Sequence, residues 1–141
     1  MPMTRIAISE SRFAQWHAQI SLDLQQALED HFSVPPGDCF QLFDCYSPRQ
    51  RVFDPDYLCG AEGRRSDDYL LFLITAGKAR SPRQKQAFYQ NLVARLERSL
   101  GIGPHNIMVV IGFTEPEDWS FGGGKMFCLA DIPPPSRPEE E

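Results

Sequence analysis

The sequence predicts an α/β chain of the α+β kind, a tandem β-α-β repeat whose four strands form one sheet with two helices on a single face. Three observations carry this. The first is an internal echo: LEDHFSVPPGDCFQLF from Leu28 stands against LERSLGIGPHNIMVVI from Leu96, an offset of 68 residues. Each copy reads as a helix end, a Gly/Pro turn and an apolar strand. The second is a helical stripe in each half, with apolar residues at i, i+3 and i+4 spacing. The third is a pair of apolar runs, YLLFLIT and IMVVIGF, of strand length and flanked by turn residues.

Taken in order, MTRIAI from Met3 falls opposite LFLITA from Leu71, so the first strand begins at Pro2, which aligns with Leu70. Phe13, Trp16, Ile20, Leu24 and Leu28 then mark the first helix, and a stripe at that spacing reads as core; His17 and His31 lie off it, as surface residues. The second strand closes the first half. Residues 44–69 form a connection rich in Pro, Gly, Asp and Arg, long enough to be functional or to carry short structure of its own. After the third strand, Ser81-Pro82-x-Gln84 is a capping box with proline at the first helical position. Phe88, Leu92, Leu96 and Leu100 follow, and Gly101 stands where a left-handed cap is wanted. The fourth strand completes a single domain over 1–132, with halves at about 2–43 and 70–113, and PPPSRPEEE at 133–141 reads as a disordered tail.

Composition narrows the partners. The net charge is −5, of which the terminal Glu run with Arg137 carries −2, and no basic stripe suggests nucleic acid. Cysteines at 39, 45, 59 and 128 show no C-x-x-C and no metal spacing with His, so they read as reduced, small apolar packing residues, with no metal and no cofactor implied. No signal-peptide core and no apolar run near ~18 residues is present, which predicts a cytoplasmic chain with no membrane partner. YLLFLIT and IMVVIGF are apolar almost without a break, the pattern of strands covered on both faces. Two helices cover one face. Further copies of the same chain are the simplest cover for the other, so the sequence predicts an oligomer.

The chemistry-bearing candidates are Pro2, Asp38, Lys78 and Arg80. Methionine before a small residue is commonly removed, which would leave Pro2 as a secondary amine at the head of a strand. Asp38 lies at the turn entering the second strand; Lys78 and Arg80 lie at the turn after the third. Taken alone, Asp38 reads as a turn residue and the two cations as a solvated loop pair. With the first and third strands parallel, these turns would stand roughly one strand length (about 20 Å) apart.

Pro2, the 68-residue repeat, VPPGDCFQ (34–41), DPDYL (54–58), RSDD (65–68), ARSPRQKQAFY (79–89) and WSFGGG (119–124) together resemble the tautomerase superfamily, and within it the malonate semialdehyde decarboxylase-like branch. The resemblance covers Pro2 to about Asp131. It implies a homotrimer with the fold of macrophage migration inhibitory factor and catalysis by the Pro2 amine after loss of Met1. Asp38 would assist, and Lys78 and Arg80 would hold a substrate carboxylate. Arg80 matches the second of two family arginines; Lys78 replaces the first, keeping the charge but not the planar fork. Trp119 and Phe121 match residues of an apolar pocket wall, with core packing as their other reading. The implied activity is keto–enol tautomerisation of small 2-oxo or 3-oxo carboxylic acids. Malonate semialdehyde decarboxylation or hydration of an acetylenic acid is the nearest alternative, and a non-catalytic trimer that only binds a metabolite or partner is another. A neutral Pro2 would be a base or an iminium-forming nucleophile and a cationic one would polarise a carbonyl; the sequence leaves both open.

Overall fold

The structure, a computed structural model, describes residues 2–132. Strand β1 (Pro2–Ser9) leads into helix α1 (Glu10–His31) and strand β2 (Gln41–Tyr46); strand β3 (Leu70–Ala76) leads into helix α2 (Pro82–Leu100) and strand β4 (Ile107–Phe113). β2 thus runs into the stretch read as connection. A single 3₁₀ turn (Pro104–Asn106) precedes β4, and two more, Pro116–Asp118 and Leu129–Asp131, follow it.

The sheet order is β2-β1-β3-β4. Each β-α-β unit has parallel strands, with β1 beside β2 and β3 beside β4. The central pair β1–β3 is antiparallel, with Pro2 opposite Ala76 and Ala7 opposite Leu71. This corrects the parallel arrangement considered from the sequence. Two units related by a two-fold axis normal to the sheet keep both helices on one face and let their strands meet head to tail. The helices then pack antiparallel: Ser99 donates to Asp23 at 2.5 Å, while Arg95 pairs with Asp30 at 2.7 Å.

Alternation within the strands explains their composition. Ile6, Ile8, Leu70, Phe72 and Ile74 are buried beneath Trp16, Ile20, Leu24, Leu28, Phe88, Leu92 and Leu96. The other face carries Leu42, Leu73, Met108 and Val110, exposed by 40–54%, with Arg5 and Asp44 paired at 3.0 Å among them. The near-continuous apolar runs therefore serve two faces, and among the described residues only the first is covered. Of the four cysteines only Cys59 is buried, so the packing role expected from the sequence holds there and not at Cys39, Cys45 or Cys128.

The capping box forms as the sequence predicts: Gln84 N donates to Ser81 Oγ, Ser81 N donates to Gln84 Oε1, and Gly101 closes the helix at φ +67°. Ser81→Ala is expected to lower stability by about 1 kcal/mol, read as a fall in melting temperature of roughly 4 °C; an unchanged melting curve would mean that the cap contributes nothing here.

Candidate active site

The antiparallel centre of the sheet decides where the site residues meet. Pro2 lies opposite Ala76, and Ala76 lies opposite Phe113 on its other side. The start of β1 and the ends of β3 and β4 therefore form one edge of the sheet. Thr4 N donates to Phe40 O at 3.0 Å, which brings the turn holding Asp38 to the same edge, and Thr114 N donates to Ala76 O at 2.9 Å. The expected separation of about one strand length does not occur, because the strand that ends at Ala76 delivers its turn beside Pro2.

Arg80 is the most constrained of the candidates. It is 8% exposed, although arginine is almost never buried without partners. Its Nε donates to Phe32 O at 2.9 Å, its Nη1 donates to Lys78 O, and its guanidinium lies 4.5 Å from the centroid of the Phe32 ring. Two carbonyls and an aromatic face thus fix the plane of the fork, and among the described residues Nη2 is its remaining edge. Burial pushes the Arg80 pKa down, and the nearby Asp38 charge opposes that shift. An arginine nonetheless stays charged across the physiological range.

Asp38 is half-buried at the turn before β2. Its backbone is held on both sides, N–H to Pro35 O at 3.1 Å and C=O from Gln25 Nε2 at 3.2 Å, so α1 sets the position of the turn. Lys78 is exposed, and what it supplies to the arrangement is the backbone carbonyl that holds Arg80.

Trp119 and Phe121 are surface aromatics rather than core. Phe121 is 47% exposed and stacks on Trp119, with centroids 5.6 Å apart and planes at 17°. Trp119 Nε1 donates to Thr114 Oγ1 at 2.6 Å, tying the pair to the sheet edge at Ala76. Gly123 and Gly124 take φ of +66° and +72°, where a side chain is disfavoured. That turn brings Phe127 back to donate to Trp119 O at 2.9 Å and to place its ring 5.1 Å from Phe121. Phe40, two residues after Asp38, approaches Phe121 at 5.7 Å. The aromatic wall therefore joins the Asp38 turn to the chain after β4.

The pseudo-symmetric end of the sheet is built differently. There Leu70 stands in place of Pro2, inside the chain and without a free amine. Asn106 stands in place of Asp38 and is bonded through both side-chain ends to Ser66. Arg12 stands in place of Arg80 and is paired with Asp68 at 2.9 Å. The end of the connection, Ser66–Asp68, thus engages Asn106 and Arg12 at that end of the sheet.

Phe32, Phe40, Phe113, Thr114 and Phe127 were not singled out from the sequence. Phe32 was within reach, since it continues the stripe of Leu24 and Leu28 by one more i+4 step. Phe40, Thr114 and Phe127 join the site only through turn geometry. Among the described residues no group of three or more His, Cys, Asp or Glu could hold a metal ion, and no helix is long and apolar enough to cross a membrane.

Comparison with known proteins bears on the fold and the family. A family model described as "Tautomerase enzyme" matches residues 38–122. Two Bacillus subtilis (strain 168) proteins are similar over 125 residues, or 89% of this chain. They are the probable tautomerase YusQ, 28% identical and covered over 96% of its length, and the probable tautomerase YrdN, 27% identical and covered over 94%. Among solved structures, a malonate semialdehyde decarboxylase described with decarboxylase and hydratase activities superposes with a TM-score of 0.79. It is 28% identical, over 87% of this chain and 92% of that one. A fused 4-OT described as a symmetric trimer has a TM-score of 0.71 at 15% identity, over 92% of this chain and 99% of that one, a likeness of fold.

Proposed function

We propose, from the premise that this chain belongs to the tautomerase enzyme family, that it acts on small 2-oxo or 3-oxo carboxylic acids through the amine of Pro2. The family and its decarboxylase neighbour make it an enzyme of the isomerase or decarboxylase type. The observation that carries the finer reading is the meeting of Pro2, the Asp38 turn and Arg80 at one sheet edge, through the register that sets Pro2 against Ala76. Arg80 would hold the substrate carboxylate through the edge of its fork left over by Phe32 O and Lys78 O, with exposed Lys78 adding charge. The aromatic pair Trp119 and Phe121 would cover the carbon chain and exclude water. In that setting Pro2 moves a proton between the carbon and oxygen ends of an enol, and keto–enol tautomerisation is the basic activity.

Two forces set the charge on the Pro2 amine. An α-amino group titrates near ~7.7–8.0 in a model peptide. The cation of Arg80 and the apolar wall favour the neutral amine, which is a base; Asp38 favours the cation, which polarises a carbonyl. The 28% identity to a malonate semialdehyde decarboxylase favours a second reading, decarboxylase or hydratase chemistry with Asp38 orienting water. Lys78 supports the tautomerase reading over it, because a lysine does not grip a carboxylate with two parallel bonds as an arginine does.

Self-association fits the same reading. The uncovered apolar face, with Leu42, Leu73, Met108 and Val110, suits further copies of the chain, and the trimeric fused 4-OT suggests three. A cytoplasmic location fits small polar metabolites as substrates.

Met1 lies outside the described residues. Intact-mass measurement of the native protein, paired with an assay on the enol of phenylpyruvate, tests the proposal. The expected result is a mass lacking methionine and catalysed ketonisation. Full activity in protein that retains Met1 would overturn it, because the nitrogen of Pro2 would then be an amide.

A further inference from the structure

The aromatic wall is tethered through one hydroxyl. Trp119 is half-buried, and an indole N–H withdrawn from water needs an acceptor. That acceptor is Thr114 Oγ1, at 2.6 Å. Thr114 follows β4 directly, and its backbone N–H donates to Ala76 O at 2.9 Å. The ladder between β3 and β4 therefore runs one residue past Phe113 without using the Thr114 side chain. A hydroxyl has a single proton to give. Thr114 Oγ1 gives it to Ala76 O over a longer 3.4 Å, which turns the lone pairs toward the indole. Ala76 is in register with Pro2. The plane of the indole is thereby tied to the strand that faces the amine.

The other contacts of the wall are less directional. Phe121 stacks on Trp119, and Phe127 and Phe40 lie 5.1 Å and 5.7 Å from Phe121. Ring pairs of this kind are satisfied over a range of offsets and tilts. The chain then continues through Gly122, Gly123 and Gly124, with φ between +66° and +150°, and a Cβ added at any of them would meet nothing within 4 Å. That turn gives the wall no side chain to lean on. The bond from Phe127 N to Trp119 O fixes the main chain at Trp119 and does not set the side-chain torsions of the ring. Among the described residues, the bond from Trp119 Nε1 to Thr114 Oγ1 is thus the one hydrogen bond made by a ring of the wall.

We propose that Thr114 is a positioning residue: through the indole N–H it sets the orientation of Trp119, and with it Phe121, over the carbon chain of the substrate. This rests on the reading of Trp119 and Phe121 as the cover of that chain, and it adds the group that aims them. Thr114 itself touches no reacting atom. A wall held in one orientation throughout acts on ground state and transition state alike, so its loosening is read in KM and not in kcat.

The test is a double-mutant cycle of Thr114→Val and Trp119→Phe. Valine keeps the shape and the branch at Cβ and removes the acceptor; phenylalanine keeps an aromatic ring and removes the N–H. Each variant is assayed on the enol of phenylpyruvate. Each is also titrated by calorimetry with 3-phenylpropanoate, a carboxylate with the same ring and no keto group. Thr114→Val is expected to raise both KM and the Kd for 3-phenylpropanoate about fivefold, the size of one net hydrogen bond, with kcat within about twofold. Thr114→Ser keeps the hydroxyl and should restore both values to within about twofold of wild type. In the Trp119→Phe background, Thr114→Val should change neither by more than about twofold, because the shared bond is already gone.

Effects that multiply in the double variant overturn the proposal, because Thr114 would then act by another route. A Thr114→Ser variant as weak as Thr114→Val overturns it as well, assigning the effect to packing of the methyl group. So does an unchanged Kd in Thr114→Val, whatever its melting temperature, because the hydroxyl would then serve the fold alone. Failure of wild type to bind 3-phenylpropanoate has the same consequence. If 3-phenylpropanoate binds and phenylpyruvate is not turned over, the tautomerase reading fails by itself, and the calorimetric cycle still decides the part of Thr114.

Discussion

Pro2→Ala is expected to lower kcat/KM for the enol of phenylpyruvate by about 10²–10⁴-fold, the range attributed to a positioned general acid or base. The substitution keeps a free amine, so a large loss has to come from what proline adds. A secondary amine is more basic and more nucleophilic, and the ring ties the nitrogen to the side chain, so it cannot rotate about N–Cα as a primary amine does. Proline is also well tolerated at the first residue of a strand, where it gives up no ladder hydrogen bond. Its replacement should therefore leave the sheet and the assembly state intact, as checked by circular dichroism and size-exclusion chromatography. Unchanged turnover would reduce Pro2 to an end residue. The pH profile of the wild type adds the sign: if the amine acts as a base, kcat/KM rises with pH through its pKa, and if the cation acts as an acid, it falls. The charges of Arg80 and Asp38 push in opposite directions, so the limb observed reports which of them dominates at the nitrogen.

Most of the architecture was legible in the sequence because its signals are local and periodic. The helix over 82–100 announces itself by Ser81-Pro82-x-Gln84, a stripe of Phe88, Leu92 and Leu96, and Gly101, and the structure has each of these in place. The relation between the halves was not legible. A repeat says that two β-α-β units are alike and nothing about whether Pro2 meets Leu70 or Ala76, since apolar alternation is satisfied either way. That choice is what gathers the candidate site, and it came from tertiary packing. The fate of Arg12 and Arg80 makes the same point. The 68-residue offset aligns them, yet one ends in an ion pair with Asp68 and the other is held by Phe32 and Lys78. The difference lies in the long connection, whose conformation no periodicity announces.

Arg80→Met is expected to raise KM for phenylpyruvate by roughly 10²-fold with a smaller change in kcat, the signature of losing an interaction made to ground state and transition state alike. Methionine keeps an apolar stem over the Phe32 ring and removes only the fork and its charge. The effect on stability should be modest by comparison. Hydrogen bonds from a charged donor contribute about 1.5–3 kcal/mol each, and Arg80 makes one to Phe32 O and one to Lys78 O. Against them stands desolvation, which lowers the Arg80 pKa in the folded chain. A folded-state pKa below the unfolded value means that folding disfavours the cation at any pH where it is protonated, and losing the charge removes that penalty. The two carbonyls left behind lose a donor, so a net destabilisation is expected, read as a fall in melting temperature. A melting temperature near wild type combined with a large rise in KM would identify Arg80 as a group held against the preference of the fold so that it can meet an anion. A KM unchanged from wild type would place the carboxylate elsewhere and remove the anion clamp from the mechanism. A collapse of stability with KM intact in the remaining folded protein would assign Arg80 to tying α1 and the β3–α2 turn together, and nothing more.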